Sequence, residues 1–247
     1  MEDVLSIGLL VFVIGTFAAA FVTGLAGFAF GMVAAGIWLH ALSPADTAAL
    51  IVAYALLVQG YAAWKLRRSI VVARLLPFIV GSAIGIPAGI QVLRWVAPAH
   101  LRIGVGVLLV AFSLYNLLRP KMPVLKSPGT AADGGVGVLN GVLAGATGLG
   151  GILPTIWTGL RGWSRDEQRA VFQPTAVATF AMSILWFGGS GIVTPQVGRL
   201  FLIGLPALLA GTALGWKLYG RLDEASFRAV VLALLLVSGV TLVLPLR

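Results

Sequence analysis

Residues 134–160 and 170–198 contain no Asp, Glu, Lys or Arg. A bilayer crossing needs about 20 apolar residues, and backbone polar groups in lipid must be satisfied within the segment itself. Further apolar segments lie between charges at 47–64, 75–93, 103–118, 200–216 and 229–246. Only 10% of the chain is charged and 59% is hydrophobic, against about 25% and 45–50% in soluble domains. These values exclude a soluble enzyme, a disordered chain and a secreted module, and predict a polytopic helical membrane protein. The segment 134–160 is too long for one crossing and too short for two with a turn. The segment 170–198 predicts one helix ending near Phe187, then the loop Gly188–Pro195. The N-terminus reads Met1-Glu2-Asp3, acidic where a signal peptide needs positive charge, so residues 4–40 count as part of the fold.

A shift of 120 lays Gly24–Gly31 (GLAGFAFG) over Ala144–Gly151 (AGATGLGG). Each stretch leads through an apolar run to a helix-start signal with capping-box spacing, Ser43–Asp46 in one case and Ser164–Glu167 in the other. A shift of 126 aligns Gly85/Gly89 with Gly211/Gly215 and Arg102 with Arg228. The chain therefore divides into a first repeat at 1–118, a cytoplasmic linker at 119–133 and a second repeat at 134–247.

Equivalent loops of the two repeats carry opposite charge character. Lys65, Arg67, Arg68 and Arg74 mark one loop, whereas its counterpart 188–198 has no charge before Arg199. Arg161, Arg165 and Arg169 mark another, and its counterpart 41–46 has no basic residue. With one in-and-back segment and three crossings per repeat, 13 of the 17 basic residues fall on one face, leaving Arg94, Arg102, Arg199 and Arg247 on the other. Positive loops are cytoplasmic, so the expected fold is all-α. It comprises two inverted-topology repeats, each a Gly-rich broken or re-entrant helical hairpin plus three transmembrane helices, with both termini outside. Trp38, Trp64, Trp95 and Trp163 fall near span ends, as in an aromatic belt.

A helix that begins at a glycine bend within the membrane presents unpaired N–H groups and a positive dipole end. Two such starts predict a midplane anion site that needs no buried Lys or Arg. The candidate substrate-binding residues are Thr23, Gly24, Gly27 and Gly31 at the first bend. At the second they are Asn140, Gly145, Thr147, Gly148, Gly150 and Gly151, followed by Gln173 and Thr175 on the next helix. Thr155, Gln59 and Thr179 are further polar neighbours, and Pro174 marks a break in mid-span. The stripes Gly81/Gly85/Gly89 and Gly211/Gly215 read as helix-packing positions. Asp46 and Asp166 read as caps, and His40 as an interfacial structural residue.

The duplicated motif at Gly24–Gly31 and Gly145–Gly151, the polar loop after each, and the basic loop 65–74 together resemble the TauE/SafE family, the sulfite exporter family of membrane transporters. The resemblance covers nearly the whole chain. It implies a bacterial inner-membrane transporter of small sulfur-containing or organic anions such as sulfite, sulfoacetate or thiosulfate. Gly148-Leu-Gly-Gly151 follows the family pattern. The first bend carries Phe28 and Phe30 instead, which makes that half narrower or more apolar.

Two other classes fit the sequence less well. An intramembrane enzyme needs a nucleophile and base or paired carboxylates within the bilayer, and Ser113, Ser183 and Ser190 have no partner His at suitable depth. A non-transporting membrane scaffold leaves the duplicated bends unexplained. With no Cys and two His, no metal site or other cofactor is expected. The net charge of +9 is accounted for by loop topology, so nucleic acid is not an expected partner. The expected partners are a small anion and the lipid bilayer, and the reading is compatible with a homo-oligomer.

Overall fold

The computed structural model describes residues 2–26, 29–65, 72–118, 125, 129–219 and 224–244. Among these, all regular structure is helical. In chain order the helices are α1 (Glu2–Ala26), α2 (Phe30–Trp38), α3 (Pro44–Lys65), α4 (Val72–Trp95), α5 (Pro98–Leu118), α6 (Gly129–Thr147), α7 (Ile152–Leu160), α8 (Arg165–Gly189), α9 (Pro195–Leu218) and α10 (Glu224–Val243). Five stretches are long and apolar enough to cross a membrane: Ile7–Leu25, Val72–Trp95, Pro98–Leu118, Glu167–Gly189 and Pro195–Leu218. Pro44–Gly60 and Phe227–Val243 are shorter apolar helices. Residues 66–71, 119–124, 126–128 and 220–223 of the basic loops lie outside the described residues.

Helix starts follow local cap chemistry. Ser164 accepts from the Glu167 amide and the Glu167 side chain returns to the Ser164 amide, a complete capping box for α8. Ser43 accepts from the Asp46 amide at 3.1 Å at the start of α3, and Thr194 accepts from Val197 ahead of Pro195 in α9. The short helices α2 and α7 start differently. Each follows a residue in the left-handed region, Ala29 (φ 79) and Gly151 (φ 92), and neither has a side-chain cap.

The chain forms two compact units. The first takes Met1–Thr47, Val96–Pro120 and Thr194–Arg247, and the second takes Ala48–Trp95 and Lys121–Val193. In the first unit α1 packs on α9 through small residues: a Cβ on Gly24 would come 2.8 Å from the Thr212 carbonyl, and Gly215 meets Phe21 and Gly24. In the second unit Gly81, Gly85 and Gly89 of α4 lie directly against the α6 backbone at Gly134, Val138 and Val142. The glycine stripes are therefore packing positions, as their spacing suggests. Within the second unit, α3 is buried on every side from Ala48 to Val52, as expected of a helix that is apolar all round.

Two sequence expectations change here. Trp38 is fully buried rather than interfacial, with its ring 5.1 Å from Phe12 and its indole N–H donated to the Phe12 carbonyl. Trp95 is 85% exposed, and the Trp64 side chain lies outside the described residues. Residues 129–133, assigned to the linker, are helical, and Asp133 is buried in α6.

Candidate functional site

Asp133 shows how the α6–α7 hairpin is held. Its carboxylate accepts from the Arg161 guanidinium at 2.6 and 2.7 Å and from the Trp157 indole at 2.7 Å. The beginning of α6 and the end of α7 are thereby tied together through these side chains. From Asp133 to Thr147 the helix rises about 21 Å, and the nine residues of α7 return about 13 Å at 1.5 Å per residue. α6 and α7 thus form a helical hairpin, with its bend at Gly148–Gly151.

The bend is wedged between two helices. A Cβ on Gly148 (φ 76) would meet the Ala48 carbonyl of α3 at 2.7 Å. One on Gly151 would meet the Ala176 Cβ of α8 at 2.9 Å. Both positions combine a left-handed conformation with close approach, so glycine is required at each. Thr147, the last residue of α6, donates to the Leu143 carbonyl and accepts from the Leu149 amide.

Asn140 orients the bend. Its Oδ1 accepts from the Gly151 amide at 2.7 Å, and its Nδ2 donates to Ser82 Oγ at 3.2 Å and Thr179 Oγ1 at 3.3 Å. Ser82 donates in turn to the Gly137 carbonyl, and Thr179 to the Thr175 carbonyl. Four elements of the second unit (α4, α6, the bend and α8) meet in one buried network.

The amides of α7's first turn can be counted. Gly151 N–H goes to Asn140, Pro154 has no N–H, and Thr155 N–H bonds the Gly151 carbonyl. The N–H groups of Ile152 and Leu153 have no acceptor within the helix and no capping side chain. On α8, Thr175, Thr179 and Ser183 form a stripe at four-residue spacing, all fully buried. Thr179 is bonded to Asn140, whereas Thr175 Oγ1, Ser183 Oγ and Gln173 Oε1 have no hydrogen-bond partner among the described residues. Helix-terminal amides and hydroxyls are both groups that can donate to a small anion.

Of the expected site residues, the structure therefore brings Asn140, Thr147, Gly148, Gly150 and Gly151 together, beside the α8 helix that carries Gln173 and Thr175. Gly145 lies one turn away, packed on Ile86 and Ile90. At the first bend, Thr23 donates to the Ala19 carbonyl and Gly24 packs on α9. Gly31 is the second residue of α2, and Gly27 lies outside the described residues. The α3 and α8 caps, Ser43 and Ser164, are 121 apart, and the same offset carries Asn140 onto Ala19. The first bend thus has no amide in the place where the second is anchored. Sequence reading missed Ser82 and Asp133. Ser82 adjoins Gly81 in the α4 glycine stripe, and a lone hydroxyl there was the available signal.

The family model for Sulfite exporter TauE/SafE matches residues 11–242. Searches of the curated proteins and of the solved structures found no match.

Proposed function

Because the chain belongs to the TauE/SafE sulfite exporter family, we propose that it carries small sulfur-containing or organic anions, such as sulfite, sulfoacetate or thiosulfate, through a site at the α6–α7 bend. Membership implies a multi-pass membrane transporter or exporter of sulfur compounds, and a transporter rather than an enzyme. The observation that carries the finer reading is the uncapped start of α7. Every other helix start whose cap is described uses a hydroxyl, except α2, the counterpart of α7 in the first half.

In this reading Gly148 and Gly151 let the backbone turn, and Asn140 holds the turn. Ile152 and Leu153 offer amides to the anion, Thr175 adds a hydroxyl, and Gly150 keeps the wall open beside Phe180. Thr23, Gly24, Gly27 and Gly31 mark the corresponding segment of the first half. Inverted repeats moving by alternating access are supported by like pairings within each unit: α1 with α9 in one, and α6 with α4 in the other. The proposed location is the bacterial inner membrane, with the α6–α7 hairpin re-entrant from the cytoplasmic face.

The test is flux in proteoliposomes loaded with sulfite, sulfoacetate or thiosulfate, with and without a pH gradient. The reading expects saturable flux of at least one of these anions. Absence of flux for all three in a folded preparation, under either condition, would sink it.

A further inference from the structure

Among its described residues, the first unit holds a cation with no counter-ion. Arg102, in the second turn of α5, donates through Nη2 to the Leu42 carbonyl at a long 3.4 Å, while its Nε is buried without a hydrogen-bond partner among the described residues. No carboxylate among the described residues pairs with it; the described acids that do form ion pairs, Glu167 and Asp133, bind Arg74 and Arg161. Beside it, in the loop between α2 and α3, His40 Nε2 lies 3.3 Å from the Thr241 hydroxyl of α10. A guanidinium with a buried unused donor is an incomplete arrangement, because it incurs desolvation without its strongest partner.

We propose that Arg102, with His40, forms a second oxyanion site, built to take a small tetrahedral oxyanion such as sulfate or a phosphate group. Arg102 supplies the fixed charge and a donor fork that matches two oxygens of the anion. The Thr241 hydroxyl donates to the Ser238 carbonyl at 2.8 Å, so it accepts from His40 Nε2 and orients the ring. His40 supplies a second N–H that becomes available when the ring is protonated. This site does not depend on the reading of α7 and would stand if that reading failed.

The same groups give the site a readout. Burial holds His40 below its ordinary value, and the charge of Arg102 lowers it further. Arg102 is the one charged group, among the described residues, that acts on this ring; α10 presents the neutral Thr241. An oxyanion on Arg102 would cancel the second cause, so binding should shift His40 back upward. By linkage, protonation of His40 should then tighten binding as the pH falls.

The experiment is a histidine NMR titration of the full chain in maltoside micelles, which contain no phosphate. The chain has two histidines, His40 and His100, and His40→Gln assigns the signals. Sulfate is expected to raise the midpoint of His40 by about 0.5–1 pH unit, the scale expected when a nearby like charge is neutralised, and to leave His100 unmoved. Arg102→Gln should abolish the shift and Arg102→Lys should retain part of it. A second arm adds phosphatidylglycerol in place of sulfate. A shift with lipid alone assigns the oxyanion to a headgroup, and a shift with sulfate assigns it to a free ion. No shift with either probe in the wild-type chain overturns the proposal, so the result does not depend on whether an Arg102 variant folds.

Discussion

Replacing Asn140 with leucine tests whether one amide holds the bend. Leucine has similar bulk but cannot accept from the Gly151 amide or donate to Ser82 and Thr179. The two hydroxyls keep their own carbonyl acceptors, Gly137 and Thr175, so they lose only an incoming bond. Side-chain hydrogen bonds between membrane helices average about 0.6 kcal/mol each. The Gly151 amide is affected more, because it becomes a buried donor without an acceptor, at a cost of about 1–3 kcal/mol. The expected loss for Asn140→Leu is therefore about 2–4 kcal/mol. Ser82→Ala and Thr179→Val together should cost about 1 kcal/mol. Reversible unfolding in bicelles measures all three variants, and proteoliposome flux measures whether the bend still works. Asn140→Leu should exceed the other two combined and should lose flux. If it costs no more than their sum, the Gly151 amide is not what Asn140 is for.

Other substitutions separate the remaining terms. Gly148→Leu, forced against the Ala48 carbonyl, and Gly150→Leu, forced against Phe180, should cut flux by about 100-fold, the scale of an ångström-level misplacement, while both proteins still insert. Full activity in both, measured in the same liposomes, would remove the bend from the transport path. Asp133→Asn should destabilise by about 3–5 kcal/mol, because it leaves Arg161 charged and partly buried without its partner; the pair Asp133→Leu with Arg161→Met should recover most of that in the same unfolding assay. Ala29→Gly should stabilise the chain by up to about 1 kcal/mol by relieving a left-handed alanine, and a lower stability would show that φ is not strained there.

The sequence made the crossings visible because charge is excluded from them. It also showed the α8 cap, since Ser164 and Glu167 are local partners, and the second bend, where Gly148 and Gly151 both take positive φ. The first bend was harder to read. Aligning glycines with a shift of 120 put Gly31 over Gly151, yet the residue that starts α2 is Ala29, 122 before Gly151. An alanine in the left-handed region has no sequence mark. Asp133 was misplaced for a different reason. A carboxylate beside a linker reads as solvated, and its neutralising partner Arg161 is 28 residues away. The interleaving of 1–47, 96–120 and 194–247 into one unit likewise depends on long-range helix pairing that no local pattern encodes.

The central claim is that the open amides of Ile152 and Leu153 hold the transported anion. Isotope-edited amide spectra of the full chain in nanodiscs, titrated with sulfite, test it directly. Both amide signals should move downfield in a saturable way, with half-saturation matching that of flux, and Asn140→Leu should abolish the response. Saturable flux with both amide signals unmoved would place the anion elsewhere and contradict the account.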